Sequence, residues 1–212
     1  MLVLASASPR RRELLSQAGF IFEVQPGNIP EDPLPGEDPL VYVTRLAREK
    51  AQAVFAQISN VPASEKRAPA PPQVAPASPL LVLGADTTVV VDNQILGKPA
   101  DSADAARMLR LLSGRAHRVI TGIALVAAFR IESSAEVTEV EFLPLTDGDI
   151  AAYIATGEPM DKAGAYAIQG RAARWIPRIA GDYSNVVGLP LARVAALLHS
   201  FAPPSAGPPL TP

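Results

Sequence analysis

The stretch Leu2-Val3-Leu4-Ala5-Ser6-Ala7-Ser8-Pro9-Arg10-Arg11-Arg12-Glu13-Leu14-Leu15 sets the organisation of the chain. Leu2 to Leu4 form a short apolar run of the kind that makes a buried strand. Ser8 followed by Pro9 marks a helix start, with a hydroxyl for the N-cap and a ring suited to the first helical position. Leu14, Leu15 and Ala18 recur at helical spacing, and Gly19 is a stop. A buried strand therefore runs straight into a helix N-terminus, whose free N–H groups and dipole favour an anion. Three arginines occupy the first turn, where the dipole disfavours cations. They read either as a solvated basic patch or as one wall of a phosphate site.

The chain has 212 residues, 48% of them hydrophobic, enough for one large domain or two small lobes. A net charge of −2 gives no global field for nucleic acid, so any anion site is local. Cysteine is absent, which removes disulfides and thiolate metal sites and fits a cytoplasmic setting. No segment has the length and apolarity of a membrane span, and no secretory leader is expected. The two histidines, His117 and His199, lack zinc-type spacing. A metal, if used, is expected to be hard and oxygen-bound.

Outward from the opening stretch, Phe20 to Val24 reads as a short strand. Asp38-Pro39 opens a second helix whose apolar face carries Val43, Leu46, Ala47, Ala51 and Val54. Lys50 falls on that face, either lifting its ammonium to solvent or pointing into a cleft. Residues 61–79 form a Pro/Ala-rich insertion, and 203–212 a similar tail, both expected to be poorly ordered. Leu80 to Val91 reads as two buried strands interrupted at Gly84–Thr88, with Asp92-Asn93 turning into Ile95-Leu96. An acid between apolar runs is costly unless partnered or placed at a cleft, so Asp86 is either a metal ligand or general base, or a turn former.

Ser102 to Leu112 reads as a helix capped by Ser102, and Val119 to Phe129 as a long strand with Glu136 to Phe142 antiparallel beside it. Asp147 is expected to cap a helix ending near Gly157. Gly157 to Gly170 is a loop mixing small residues with Glu158, Asp161, Lys162 and Gln169. Gly181 to Asn185 reads as a turn before the last helix, with Val194, Leu197, Leu198 and Phe201 inside. The mixture predicts an α/β fold: a mixed sheet flanked by helices, with the middle hairpins as a second lobe and a cleft between lobes. Residues 1–202 form one such domain. Scattered bases and acids, if the loops converge, make a kit for phosphoanhydride hydrolysis.

At this point the chain resembles the Maf family of nucleoside triphosphate pyrophosphatases. The resemblance rests on Ser6-Ala7-Ser8-Pro9-Arg10-Arg11, Arg45-Leu46-Ala47 with Lys50-Ala51, Gly84-Ala85-Asp86-Thr87 and Gly97-Lys98-Pro99. It continues through Leu112-Ser113-Gly114-Arg115 with His117, Thr121-Gly122, Gly157-Glu158-Pro159, Asp161 to Tyr166, Ile168-Gln169-Gly170 and Asn185 to Pro190. It covers nearly all of residues 2 to 200, in family order. It implies a two-lobed fold with an elongated mixed sheet, a homodimer, and Mg²⁺- or Mn²⁺-dependent hydrolysis of a nucleoside triphosphate to monophosphate and pyrophosphate.

Carried over residue by residue, the resemblance makes Asp86 the proton acceptor and Glu31 with Asp86 the metal partners. Ser6, Ser8, Arg11, Lys50, Lys98 and Lys162 become phosphate-binding. Arg10, Thr87 and Gln169 stand at the specificity positions and match the dTTP/UTP branch. Ala167 stands where the family commonly has glycine. Two other readings remain: a non-catalytic nucleotide sensor or partner-binding protein acting in septum formation, to which the family has been linked, and RNA binding through the arginines. Few aromatics and the negative charge weigh against RNA.

Overall fold

Strand β1 (Leu2–Leu4) and helix α1 (Pro9–Gln17) form where the opening stretch places them, with Ser8 as N-cap. The computed structural model describes residues 1–60 and 79–202. The insertion from 61 to 78 and the tail from 203 lie outside the described residues.

The sheet is built on β3, Leu81–Val91, a continuous 11-residue strand. The expected break at Gly84–Thr88 does not occur. These residues pair one by one with Ala124 to Ile120 of β5 (Ala116–Ala127), so the ladder runs unbroken through the polar stretch. The other edge of β3 is shared. β1 pairs in parallel with Leu81–Leu83, and β4 (Gln94–Leu96) pairs antiparallel with Val89–Val91. Among the described residues no strand pairs with Gly84–Thr88 on that edge, and this gap floors a cleft.

The remaining strands are β2 (Glu23–Val24), parallel to β1, β6 (Arg130–Glu141), antiparallel to β5, and β7 (Arg178–Ala180), antiparallel to β6. The sheet order is β2-β1-β3-β5-β6-β7, with β4 beside β3. Asp92 and Asn93 both take positive φ, 48° and 60°, which suits the two-residue turn between β3 and β4.

Period-2 alternation along β3 divides its side chains between two layers. One face is covered by α2 (Pro39–Ser59), whose Val43, Leu46, Ala47, Ala51 and Val54 join Val82, Val90, Ile120 and Val126. The other face carries two separate cores. Leu14, Leu15, Leu83, Ala85, Ile123 and Leu125 meet Val187, Val194 and Leu197 from α5 (Tyr183–Val187) and α6 (Leu191–Ser200). Val89, Val91 and Leu96 meet Met108, Leu109 and Leu112 of α3 (Ser102–Leu112) and Ile150 and Tyr153 of α4 (Asp147–Ile154). These two cores are the two lobes.

Several local expectations are corrected. Asp101, not Ser102, caps α3, its carboxylate accepting from Asp104 N at 2.8 Å. Thr146, not Asp147, caps α4 in a reciprocal box with Asp149. Gly181–Asn185 is not a simple turn, because Asp182 caps α5 there. Phe129 lies in the β5–β6 turn, fully exposed, rather than ending the strand. Phe20 and Phe22 leave the strand to pack on the α1–α6 core, so β2 is short.

Two glycines set the height of α2 above the sheet. A Cβ on Gly84 would lie 2.0 Å from the Ala47 carbonyl oxygen, and one on Gly122 would lie 2.4 Å from that of Val43. Backbone therefore touches backbone, and a methyl at either site lifts the helix. Gly84→Ala is expected to cost about 1–3 kcal/mol by overpacking. Gly97→Ala, where a Cβ meets nothing within 4 Å, is expected to be neutral. Urea unfolding of both variants checks the contrast.

Candidate active site

Asp86 and its pairing partner Gly122 face α2, and the absent side chain of Gly122 leaves the helix close to the strand. Lys50, on the buried face of α2, extends to Asp86. Its Nζ lies 2.7 Å from Asp86 Oδ1 and 2.7 Å from Glu31 Oε1. Lys50 and Asp86 are only 6% and 7% exposed, while Glu31 stands open to solvent. The sequence left Lys50 between solvent and cleft, and the structure turns it inward. Removing one member of such a pair strands the other charge in a poorly solvated place.

The electrostatics follow from this arrangement. Burial pushes the Asp86 carboxyl above its ordinary value, against the opposing pull of Lys50 and Arg11. For Glu31 burial acts the same way, but the Lys50 hydrogen bond and the charges of Lys50, Lys98 and Arg11 outweigh it and hold the carboxyl low. The two acids thus differ in basicity, and Asp86 is the stronger base.

Tyr42, which the sequence reading passed over, donates its hydroxyl to the Glu31 carbonyl at 2.8 Å and fixes that loop. The signal for it was available: Tyr42 lies four residues before Leu46, on the same helical face.

Thr87 points to the opposite face, toward Arg11. Arg11 Nε donates to Gly188 O (2.8 Å), Nη1 to Ala85 O (2.9 Å) and Ser6 Oγ (3.2 Å), and Nη2 to Thr87 Oγ1 (2.9 Å). Four of its five N–H groups are therefore spent on the protein. Arg11 brackets α1, β3 and the segment after α5 together, and one N–H is left for an anion. Thr87 Oγ1 also shares a hydrogen bond with Thr121 Oγ1 at 2.9 Å, and Thr121 in turn donates to Asn185 O at 3.2 Å.

Ser6 Oγ accepts from Ser8 N at 3.2 Å as well as from Arg11, and Ser8 Oγ accepts from Arg11 N. Both hydroxyls retain their own hydrogen to donate. Arg10 pairs with Asp161 at 3.7 Å. Lys162 pairs with Asp161 too, and its Nζ donates to the Glu158 carbonyl at 3.3 Å. Lys98 is exposed in the turn after β4, and among the described residues it makes no ion pair or hydrogen bond. Gln169 is exposed on the loop beyond Tyr166.

A single cleft of about 730 Å³ is lined by all eleven residues singled out in the sequence: Ser6, Ser8, Arg10, Arg11, Glu31, Lys50, Asp86, Thr87, Lys98, Lys162 and Gln169. The α1 N-terminus opens onto it through Ser8, Pro9 and Arg10. A buried carboxylate at the floor, cations around the rim and a helix N-terminus on one wall can receive a polyanion and take a proton beside it. His117 stands apart, buried with its Nε2 2.8 Å from Tyr166 Oη, and burial lowers its pKa to about 3. Among the described residues no group of three or more His, Asp or Glu is placed to hold a metal unaided, and no helix is long and apolar enough to cross a membrane.

Replacing Lys50 by Met removes the ammonium and raises the Asp86 carboxyl further above its unfolded value. A carboxyl raised in the folded state contributes stability at low pH and loses it as pH rises through the folded value. The deficit of Lys50→Met is therefore expected to reach about 3 kcal/mol at pH 8, where an unpaired buried carboxylate remains. It is expected to shrink at pH 5, and denaturant unfolding at the two pH values checks the sign.

Comparison with known proteins agrees with this construction. The chain is 53% identical over 202 residues to a dTTP/UTP pyrophosphatase of Geobacter metallireducens, spanning 94% of this chain and 95% of the relative. It is 50% identical over 198 residues to a protein of the same name from Koribacter versatilis, spanning 93% of each. A dTTP/UTP pyrophosphatase of Geobacter sulfurreducens is 53% identical over 195 residues, or 91% of this chain and 92% of the relative. The family model described as Maf-like protein matches residues 1–201, and the chain belongs to that family.

Proposed function

We propose that the protein hydrolyses dTTP and UTP to the nucleoside monophosphate and pyrophosphate. The observation that carries this reading is the buried Asp86 carboxylate held by Lys50 at the floor of a cation-rimmed cleft, 2.7 Å between oxygen and nitrogen. The names of relatives at about half identity point the same way.

In this reading Lys50 holds Asp86 Oδ1, and Asp86 presents its other oxygen to a water. As the water oxygen bonds to the α-phosphorus, its proton passes to Asp86, and the bond from the α-phosphorus to the bridging oxygen breaks. Pyrophosphate leaves with that oxygen, and Asp86 returns the proton to solvent. The raised carboxyl suits this exchange, because a base nearer to neutrality takes the proton more readily. Arg10, Lys98 and Lys162, with the Ser6 and Ser8 hydroxyls, surround the phosphates. Thr87 sits under Arg11, so its part in specificity is to shape the pocket wall.

The donor set fits a divalent cation. Asp86 and Glu31 are joined through one ammonium; Glu31 keeps a second oxygen, and Asp86 Oδ1 keeps the lone pair that Lys50 does not use, while its other oxygen faces the water. Two carboxylates completed by phosphate oxygens and water are what Mg²⁺ or Mn²⁺ accepts, rather than an all-protein cage. Asp86 and Glu31 would hold it, and it would supply charge neutralisation to the phosphates.

Gln169 lines the same cleft and offers one carbonyl and one amide. That pair answers the O4 acceptor and N3–H donor of a uracil or thymine edge. With the amide held in that orientation, a cytosine edge reverses both and leaves them unmatched.

With Mg²⁺ and a panel of nucleoside triphosphates, the expected products are pyrophosphate with dTMP or UMP. Orthophosphate with a nucleoside diphosphate would move attack to the γ-phosphorus and overturn the reading. No turnover with any nucleotide would favour a sensing role instead. Asp86→Asn is expected to lower kcat by about 10²–10⁴-fold, the range for loss of a general base, with the fold retained by circular dichroism.

A further inference from the structure

Gln169 stands on a loop with little regular structure, between the 3-10 turns Ala163–Ala165 and Arg171–Trp175. What fixes its position comes from outside the cleft. Two residues before it, Ala167 N donates to Tyr153 Oη at 3.2 Å. Two residues after it, Arg171 N donates to both carboxylate oxygens of Glu158, at 3.1 and 3.2 Å. Tyr153 Oη closes the circuit by donating to Glu158 Oε1 at 2.7 Å. The loop is thus pinned on both sides of Gln169 by one connected pair of side chains, neither of which lines the cleft.

Gly170 makes the fit obligatory. A Cβ there would lie 2.0 Å from Glu158 Oε1 and 2.4 Å from its Cδ. Its φ of −107° is open to any residue, so only the carboxylate demands glycine. Tyr153 is anchored in turn: its side chain is fully buried, and its ring packs edge-on to Trp175 at 5.5 Å between centroids.

We propose that Glu158, acting with Tyr153, is a positioning residue that sets Gln169 against the base and so fixes discrimination among nucleotides. This rests on the reading of Gln169 as base-facing given above. Asp86 and Lys50 sit on β3 and α2, which the Glu158–Tyr153 pair does not touch. Loss of the pair is therefore expected to alter base selection while sparing the chemical step.

The test is steady-state kinetics with dTTP, UTP and dCTP on the full chain. Glu158→Ala is expected to lower the ratio of kcat/KM for dTTP over dCTP about tenfold, the weight of one oriented hydrogen bond. The change should come through KM for dTTP, with kcat within about twofold. Glu158→Gln, which keeps an acceptor for both donors, is expected to restore most of the ratio. Tyr153→Phe keeps the buried ring and is expected to reproduce the loss, which covers the case of an unstable Glu158→Ala. Gly170→Ala is expected to match Glu158→Ala, and the double variant to be no worse than either, because both remove the same contact. An unchanged ratio in these variants, a loss in kcat alone, or additivity of Gly170→Ala with Glu158→Ala would overturn the role of Glu158. Absence of turnover in the unmodified protein would overturn the proposed reaction instead.

Discussion

The contact on which the rest of the structure depends is the seat of α2 on the sheet. Gly84 and Gly122 leave no side chain between helix and strands, so the carbonyls of Ala47 and Val43 come down onto β3 and β5. Lys50 lies one turn beyond Ala47 and is thereby carried to Asp86. A helix packed on ordinary side chains sits roughly 10 Å from a sheet, and at that height the ammonium would reach less deeply. Small residues here are a condition for the buried ion pair as well as for packing. The pair adds little net stability against its desolvation. Its value is positional, since it holds a carboxylate at a fixed place where water and phosphate can arrive.

A second constraint comes from the shared edge of β3. β1 and β4 both pair with it, but at opposite ends and in opposite senses. The span between them, Gly84–Thr88, is supported by β5 on one side and open on the other. A strand that is central for part of its length and an edge for the rest offers reactive side chains on a rigid frame. Arg11 stabilises this exposed span from the far face by taking up the carbonyls of Ala85 and Gly188. Its cationic charge reaches the cleft, but most of its hydrogen-bonding capacity belongs to the fold.

Which of these features were legible in the sequence follows from the range over which each acts. Ser8-Pro9 and Asp38-Pro39 announce helix starts because capping is settled within a few residues, and both helices begin there. Lys50 was placed on the correct face by spacing alone, yet its direction depends on Asp86, 36 residues away. Gly84–Thr88 misled for the same reason: polar residues between apolar runs look like a break until a helix from elsewhere supplies their partner. The bracing part of Arg11 was not legible, because its acceptors, 74 and 177 residues on, are backbone carbonyls with no signature in side-chain pattern. Spacing alone took the site as far as scattered bases and acids. Their convergence on one cleft came from the motif resemblance, and the structure supplies the geometry.

The construction also separates two tasks. Asp86 and Lys50 are carried by a strand and a helix in backbone contact, where a shift of either element is resisted along its whole length. Gln169 is carried by a loop whose place is fixed by two backbone N–H groups, of Ala167 and Arg171, that donate to two side chains, Tyr153 and Glu158, themselves joined by a hydrogen bond. A change near the loop moves the Gln169 amide without reaching the carboxylate, because the two sets share no hydrogen bond among the described residues. With Asp86 and Gln169 in the roles proposed for them, the same frame can hold one reaction constant while the choice of base drifts, and selectivity is expected to be the more easily altered property of this fold.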